Sequence, residues 1–403
     1  MLAARRDHAL RLFVVAGEHS GDALAGPLIA AVRRLASRPI IVQGVGGPSM
    51  AEEGLDSLFP MSEVAVMGPL SILAGLPRLL RRVNQAAAAG ISMRPDVIVI
   101  VDSPEFTHPI ARRIRKQLPG VAIVNYVSPS VWAWRPGRAA RMRAYVDHVL
   151  ALLPFEPAAH KRLGGPACTY VGHPLIERLP MIEAADPRPL IERLGLSPQA
   201  RTIVVLPGSR RSEVQRLLQP FGEALAQVEA RLGPLNILLP TVDSVSPQIA
   251  AGTARWPTQP HILLGEADKF RAFKAADVAL AASGTVTLEL GLAGLPMVIG
   301  YRVDALAAQL QFLVKTPHFA LSNLVLGERA FPELMQADCT ASNLASALVG
   351  ILSDPAIMAA QRSALERLPT VMRLPEGTPS EAAARIVLDT AVDRSQDRPQ
   401  GGA

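Results

Sequence analysis

The chain has 403 residues, too many for one compact core at the roughly 100–200 residues usual for a domain, and two domains are expected. Hydrophobic residues make up 49% and charged residues 19%, which excludes a disordered chain and confines disorder to the end. The net charge is +6 and five of the 41 basic residues are lysine, so the positive charge is mostly guanidinium, a good fork for the phosphate of a nucleic acid, an anionic membrane or a small molecule.

In chain order, the opening "MLAARRDHALRLFVVAGEHSGD" is basic, but Glu18 and Asp22 interrupt its apolar stretch too early for a signal peptide. "RLFVVAG" is the first expected strand, running into Gly17, Ser20 and Gly21 and then a helix capped around Asp22. Free backbone N–H groups at such a start can hold an anion or a sugar hydroxyl. Glu18 fits either a sugar-hydroxyl acceptor or a loop cap, and His19 reads as an ordinary polar-turn histidine. "IIVQGV" is the second strand; "GVGGPSM" after it has Ser49 at the last glycine position of a dinucleotide fingerprint, which argues against NAD.

"VAVMGPLSILAGLP", residues 64–77, is too short to cross a bilayer, which takes about 20 apolar residues. Leu70, Leu73, Leu76, Leu80 and Val83 recur at helical spacing beside Arg78, Arg81 and Arg82. That pattern fits a helix lying on an anionic membrane as well as one packed on a sheet. "DVIVIVD" ends in Asp102, at the carboxyl end of a buried strand and ahead of Pro104, fitting a general base or a helix N-cap. "VAIVNYV" and "HVLALL" follow as strands, with "SPSVWAWRPGR" between them. Its Trp132 and Trp134 each combine a broad apolar face with one N–H donor, and either line a binding site or pack beneath the loop.

"GHPLIERLPMIEAADPRPL", residues 172–190, is the expected interdomain linker. The strands "RTIVVLP", "NILLP", "HILLG", "DVALAA" and "PMVIGY" follow, each before a helix-like segment, so that the βα order predicts two doubly wound parallel sheets with the ligand site in the cleft between domains. In "VVLPGSRRSEV", Gly208, Ser209 and Arg210 occupy a strand-to-helix turn where a guanidinium can stabilise a leaving diphosphate; Arg211 reads more as a solvated arginine. In "AASGTVTLELG", Ser283, Gly284 and Thr285 offer hydroxyls and N–H groups to phosphate, with Glu289 one helical turn beyond to take both hydroxyls of a ribose. There is no Asp-x-Asp pair and no His or Cys cluster, and the two cysteines, Cys168 and Cys339, build neither a disulfide framework nor a thiol metal site, so no metal and no cofactor is expected. Past about residue 355 only helices are expected, ending in a polar, disordered tail.

With "GEHSGD", "DSPEF", "SPSVWAWRPGR", "YVGHPL", "LPGSRRSEV", "SGTVTLE" and "SNLVLGERAFPELMQ" in this order, the chain resembles the lipid-A-disaccharide synthases from about residue 11 to 390. The resemblance implies a type B glycosyltransferase: an N-terminal Rossmann-like domain over 1–175 carrying the acceptor side and base, a C-terminal one over 176–355 binding the UDP-sugar, helices over 356–392 returning toward the first domain, and a disordered tail over 393–403. It implies inverting, metal-independent condensation of UDP-2,3-diacylglucosamine with 2,3-diacylglucosamine 1-phosphate to the lipid A disaccharide 1-phosphate and UDP, as in lipopolysaccharide synthesis in a Gram-negative bacterium. The implied location is cytoplasmic, peripheral at the inner face of the inner membrane with residues 66–83 turned to it; no nucleic-acid partner is expected, and a homodimer is kept as a candidate assembly.

Carried over, Asp102 matches the family's base, Glu18 its first-loop carboxylate, Arg210 its diphosphate-side arginine and Asn323 an asparagine that closes the active site. Gly208, Ser209, Arg210, Ser283, Gly284, Thr285 and Glu289 look like the nucleotide grip; Ser20, Trp132, Trp134 and Arg135 look like the acceptor and lipid side, with Arg135 and Arg138 near phosphate. The chain departs from the family pattern at Ser71, where a glutamate is usual, and at Glu105 and Thr107 in "DSPEFTH". The "SPSVWAW" and "SNLVLG" runs argue against other UDP-sugar enzymes of this architecture, such as a UDP-N-acetylglucosamine 2-epimerase or the transferase acting on undecaprenyl-linked peptidoglycan precursor. Ser71 motivates the further alternative of a silent UDP-binding paralogue.

Overall fold

The computed structural model describes residues 9–64, 69–303 and 316–396, with the side chains of 69–75 and 393–396 outside that description. Two compact units result, Met1–Pro174 with Leu374–Ala403, and Leu175–Arg373.

The first unit holds β1 (Leu10–Ala16), β2 (Ile40–Val45), β3 (Val97–Val101), β4 (Ala122–Tyr126), β5 (His148–Ala151) and β6 (Ala167–Tyr170) in the order β2-β1-β3-β4-β5-β6, all parallel. β3 and β4 are buried at every residue, because the sheet is covered on both faces and a strand so placed must be apolar throughout. Leu12, Val14 and Ala16 of β1 pack on one side against Ala25, Leu28 and Val32 of the helix His19–Leu35 and Ala383 and Val387 of the helix Pro379–Gln396. Phe13 and Val15 pack on the other against Val83 and Ala86 of the helix Pro69–Met93 and Ile110 and Ile114 of the helix Pro104–Gln117. Each fully buried valine, leucine, isoleucine or phenylalanine among them contributes roughly 1.5–3 kcal/mol.

The second unit holds β7 (Arg201–Leu206), β8 (Leu235–Thr241), β9 (His261–Leu264), β10 (Val278–Ala281), β11 (Met297–Tyr301) and β12 (Glu333–Met335) in the order β12-β11-β10-β7-β8-β9, again all parallel. In each sheet the direction of winding reverses once, between β1 and β3 and between β7 and β10, and there the crossovers diverge and leave a crevice beyond the strand carboxyl ends.

The chain passes between units at Pro174, inside the expected linker, which is itself helical over Pro174–Arg178, Leu179–Glu183 and Arg188–Leu194. The C-terminal helices divide, instead of all returning to the first unit. Pro355–Met372 stays on the second, where Gln361, 2% exposed, accepts from Met297 N at 2.8 Å and donates to Met297 O at 3.3 Å. Pro379–Gln396 returns to the first, its Ala383 and Ala384 small enough for close helix packing. That helix carries the chain through residue 396, so of the tail expected from 393 the residues 397–403 lie outside the description.

Of the segment 66–83, residues 66–68 and the side chains of Leu70, Ser71 and Leu73 lie outside the description. Val83 is core, and Arg82 is drawn back to Glu63, with Nη2 to Oε2 at 2.6 Å, and over the Phe59 ring. Leu76, Leu80, Arg78 and Arg81 remain exposed.

Candidate functional site

In the first unit the crevice between β1 and β3 is built by two turns. After β1, Glu18 is the N-cap residue of the next helix but its side chain makes no capping bond, while Asp22, 3% exposed, reaches across to the turn after β2. It accepts from Gly47 N at 2.7 Å, Ser49 N at 2.9 Å and Met50 N at 3.1 Å, so it caps the neighbouring helix Pro48–Glu52 instead of its own helix, the one it was expected to cap. After β3, Asp102 and Ser103 both have left-handed backbone, at φ +50° and +42°, a strain usually stored at functional turns. The Asp102 carboxylate caps no helix; it accepts from Ser20 Oγ at 3.2 Å, joining the two turns. Thr107 Oγ1 donates to Asp102 O at 2.7 Å and contacts Ser103 O at 3.2 Å, so the hydroxyl at this unusual position braces the strained pair.

Glu105 pairs with Arg138 at 2.6 Å; partial burial works against its ionisation, but the Arg138 hydrogen bond and charge prevail and hold the carboxyl below its usual range. Arg138 is thus engaged by Glu105. The tryptophans divide the loop after β4. Trp132 donates to buried Glu156 at 3.1 Å and packs edge-on to Phe155 at 5.1 Å, while Trp134 lies beneath the Arg135 guanidinium at 5.1 Å. Both are partly exposed, so neither is simply core.

In the second unit a cavity of about 630 Å³ opens at the β7–β10 reversal. Gly208, Ser209, Arg210, Ser283, Gly284, Thr285 and Glu289, all nominated by sequence, line it together. Glu213 organises the turn after β7: buried at 6% exposure, it receives Ser209 N and Arg210 N at 3.3 Å, Arg210 Nη1 at 2.9 Å and Tyr301 OH at 3.1 Å. Burial, then the Glu213 charge, pushes the Tyr301 phenol up to about 12, keeping it a donor. Gly208 has φ +109°, and a Cβ there would stand 2.6 Å from Glu213 Oε2, so glycine is required. The glutamate in "GSRRSEV", three residues past the N-cap, was the missed signal for this capping box.

Lys269 is the second omission. Its Nζ lies 3.0 Å from both oxygens of Glu289, and no sequence pattern joins residues on separate helices. Ser283 Oγ donates to Phe319 O at 3.0 Å. Asn323 is fully buried and does not line the cavity; its amide donates to Phe331 O and Glu333, and accepts from Phe331 N. Because Glu333 also receives Phe319 N and Ala320 N, Asn323 supports the loop behind Ser283 and is not itself at the pocket. Among the described residues no group of three or more His, Cys, Asp or Glu could hold a metal ion.

Two Rossmann-like units, each with a polar site at its strand-order reversal, define the architecture of type B glycosyltransferases. Solved structures of this architecture include an S. aureus MnaA–UDP complex, with TM-score 0.63, 12% identity and coverage of 98% of this chain and 100% of the other. The Neisseria meningitidis UDP-GlcNAc 2-epimerase bound to UDP-GlcNAc gives TM-score 0.61 and 10% identity over 95% of this chain and 100% of the other, a likeness of fold alone. Sequence decides the family. The lipid-A-disaccharide synthetase model matches residues 12–384. Lipid-A-disaccharide synthase of Nitrobacter hamburgensis is 48% identical over 94% of this chain and 95% of its own, and that of Rhodopseudomonas palustris strain HaA2 is 47% identical over 94% and 96%. The chain belongs to the lipid-A-disaccharide synthase family and is an enzyme of the glycosyltransferase type.

Proposed function

We propose that the protein transfers the diacylglucosamine of UDP-2,3-diacylglucosamine to 2,3-diacylglucosamine 1-phosphate, with inversion and without a metal. Asp102 accepts the proton of the acceptor's 6-hydroxyl as that oxygen bonds to the anomeric carbon and the bond to UDP breaks. Ser20 orients the Asp102 carboxylate, and the braced left-handed turn presents it. Arg210 and the Ser283–Thr285 turn receive the charge that develops on the departing UDP, while Glu289, steadied by Lys269, takes the ribose hydroxyls. Trp132, Trp134 and Arg135 line the acceptor side.

The observation that carries this reading is the coincidence of the family's motif residues with the reversal points of both sheets: Glu18, Ser20 and Asp102 in one, the lining of the 630 Å³ cavity in the other. The enzyme works at the inner face of the cytoplasmic membrane, a placement supported by its acylated substrates and by exposed Leu76 and Leu80 beside Arg78 and Arg81. No single helix among the described residues is long and apolar enough to cross a membrane.

The test is incubation with UDP-2,3-diacylglucosamine and radiolabelled acceptor in EDTA, followed by thin-layer chromatography. Disaccharide should form, and Asp102→Asn should lower turnover by roughly 10²–10⁴ with the protein still folded. Tight UDP binding without disaccharide over several acyl lengths would instead mark a silent paralogue.

A further inference from the structure

The helix Glu156–Arg162 opens with a carboxylate that is 4% exposed and lies beneath the loop after β4. Glu156 Oε1 accepts from the Trp132 indole at 3.1 Å, and Oε2 accepts from Leu152 N at 3.1 Å and Leu153 N at 3.0 Å. One turn further, His160, fully buried, places Nε2 2.9 Å from Ser128 Oγ in the same loop. The loop itself leaves β4 through Val127 at φ +76°, a conformation costly for a β-branched residue, so it needs an external hold. Tyr126 O, at its root, accepts from Asp102 N at 3.0 Å, which ties its base to the β3 turn.

We propose that Glu156 is a positioning residue for the acceptor, its ionised carboxylate fixing the Trp132 indole and through it the segment 132–138. This rests on the reading of Trp132 and Arg135 as the acceptor side. A protonated carboxyl carries a donor on one oxygen and is the weaker acceptor, so protonation weakens the hold on the donors around Glu156. Burial raises the Glu156 carboxyl to about 7, against the opposing pull of the Leu153, Trp132, Leu152 and Ser128 donors. The titratable groups around it stay uncharged at that pH. His160, on the same helix, is held below its ordinary value by burial; Cys168 on β6 is raised to about 12 by burial and then the Glu156 charge; Tyr170, two residues along β6, is raised to about 12 by burial. On the loop itself, Arg138 is engaged by Glu105 and Arg135 lies over Trp134. The anchor is therefore at full strength above pH 7 and weakens as pH falls through it.

Replacing Trp134 and Trp256 by phenylalanine leaves Trp132 as the sole tryptophan and a local reporter. Its emission should titrate with a midpoint near pH 7, and Glu156→Gln should abolish that titration. At pH 8, in the protein with its own tryptophans, Glu156→Gln should raise the acceptor KM roughly tenfold, the loss expected for one hydrogen bond to a charged group, with kcat and the UDP-sugar KM within about twofold. Trp132→Phe should also raise the acceptor KM, and the double variant should raise it no further. An unchanged acceptor KM in both variants, or a Trp132 signal flat across this range, overturns the inference. If the wild-type protein makes no disaccharide the proposed function fails, and the Trp132 titration still decides whether the anchor exists.

Discussion

Glu213→Ala separates the architecture of the β7–β10 cavity from the nucleotide chemistry proposed for it. The substitution removes a capping box and strands Ser209 N, Arg210 N and the Tyr301 hydroxyl, all of which converge on a carboxylate that is 6% exposed. A lost cap costs about 1 kcal/mol, and buried groups deprived of a charged partner add about 2 kcal/mol more. A total of about 3 kcal/mol should lower the melting temperature of the second unit by roughly 6–12 °C. The turn after β7 should also lose its shape, so UDP affinity by calorimetry should fall together with stability. Arg210→Ala provides the contrast. Its side chain is 59% exposed and its ion pair with Glu213 contributes less than about 1 kcal/mol, so the melting temperature should barely move. Turnover should nevertheless fall by roughly 10², the effect of removing one donor to developing charge. If Glu213→Ala left both melting temperature and UDP affinity at wild-type values, the organising role assigned to this carboxylate would be wrong.

Thr107→Val, which keeps the shape and deletes the brace beneath Asp102, should cost about 1–3 kcal/mol in urea unfolding and lower kcat, whereas Thr107→Ser should restore both; equal behaviour of the two variants would refute the brace. Leu76→Ser with Leu80→Ser, at positions 42% and 45% exposed, should weaken binding to anionic vesicles at least about tenfold in flotation, and Arg78→Glu with Arg81→Glu should abolish its salt dependence; unchanged flotation would remove this helix from the membrane contact. Burial, with Arg138 and Arg112 adding repulsion, lowers His108 to about 4, so the folded protein resists a proton that the unfolded chain accepts near 6.5. Stability from this residue is complete above pH 6.5 and is lost as pH falls toward 4, by at most roughly 3 kcal/mol; His108→Gln should flatten that acid limb in unfolding measured at pH 4.5 and 7.5.

Ten of the twelve strands among the described residues were legible in sequence because a strand buried on both faces has to be a short apolar run, as "VIVIV" of β3 is. β6, which alternates exposed and half-buried positions at a sheet edge, and β12, three residues long, carry too little pattern to stand out. The turns lining the cavity were legible for a similar reason: glycine and small hydroxyl residues between a strand and a helix leave few conformations open. Sequence by itself thus determined the fold class, both polar turns and the family. Tertiary structure alone decided the partners: Glu213 under its turn, Lys269 beside Glu289, Asn323 behind the pocket, Arg82 bound to Glu63 and Trp132 bound to Glu156. The physical reason is that a local pattern records the periodicity of one element, whereas hydrogen bonds between elements depend on strand order and register. A chain read one residue at a time specifies neither until its sheets have closed.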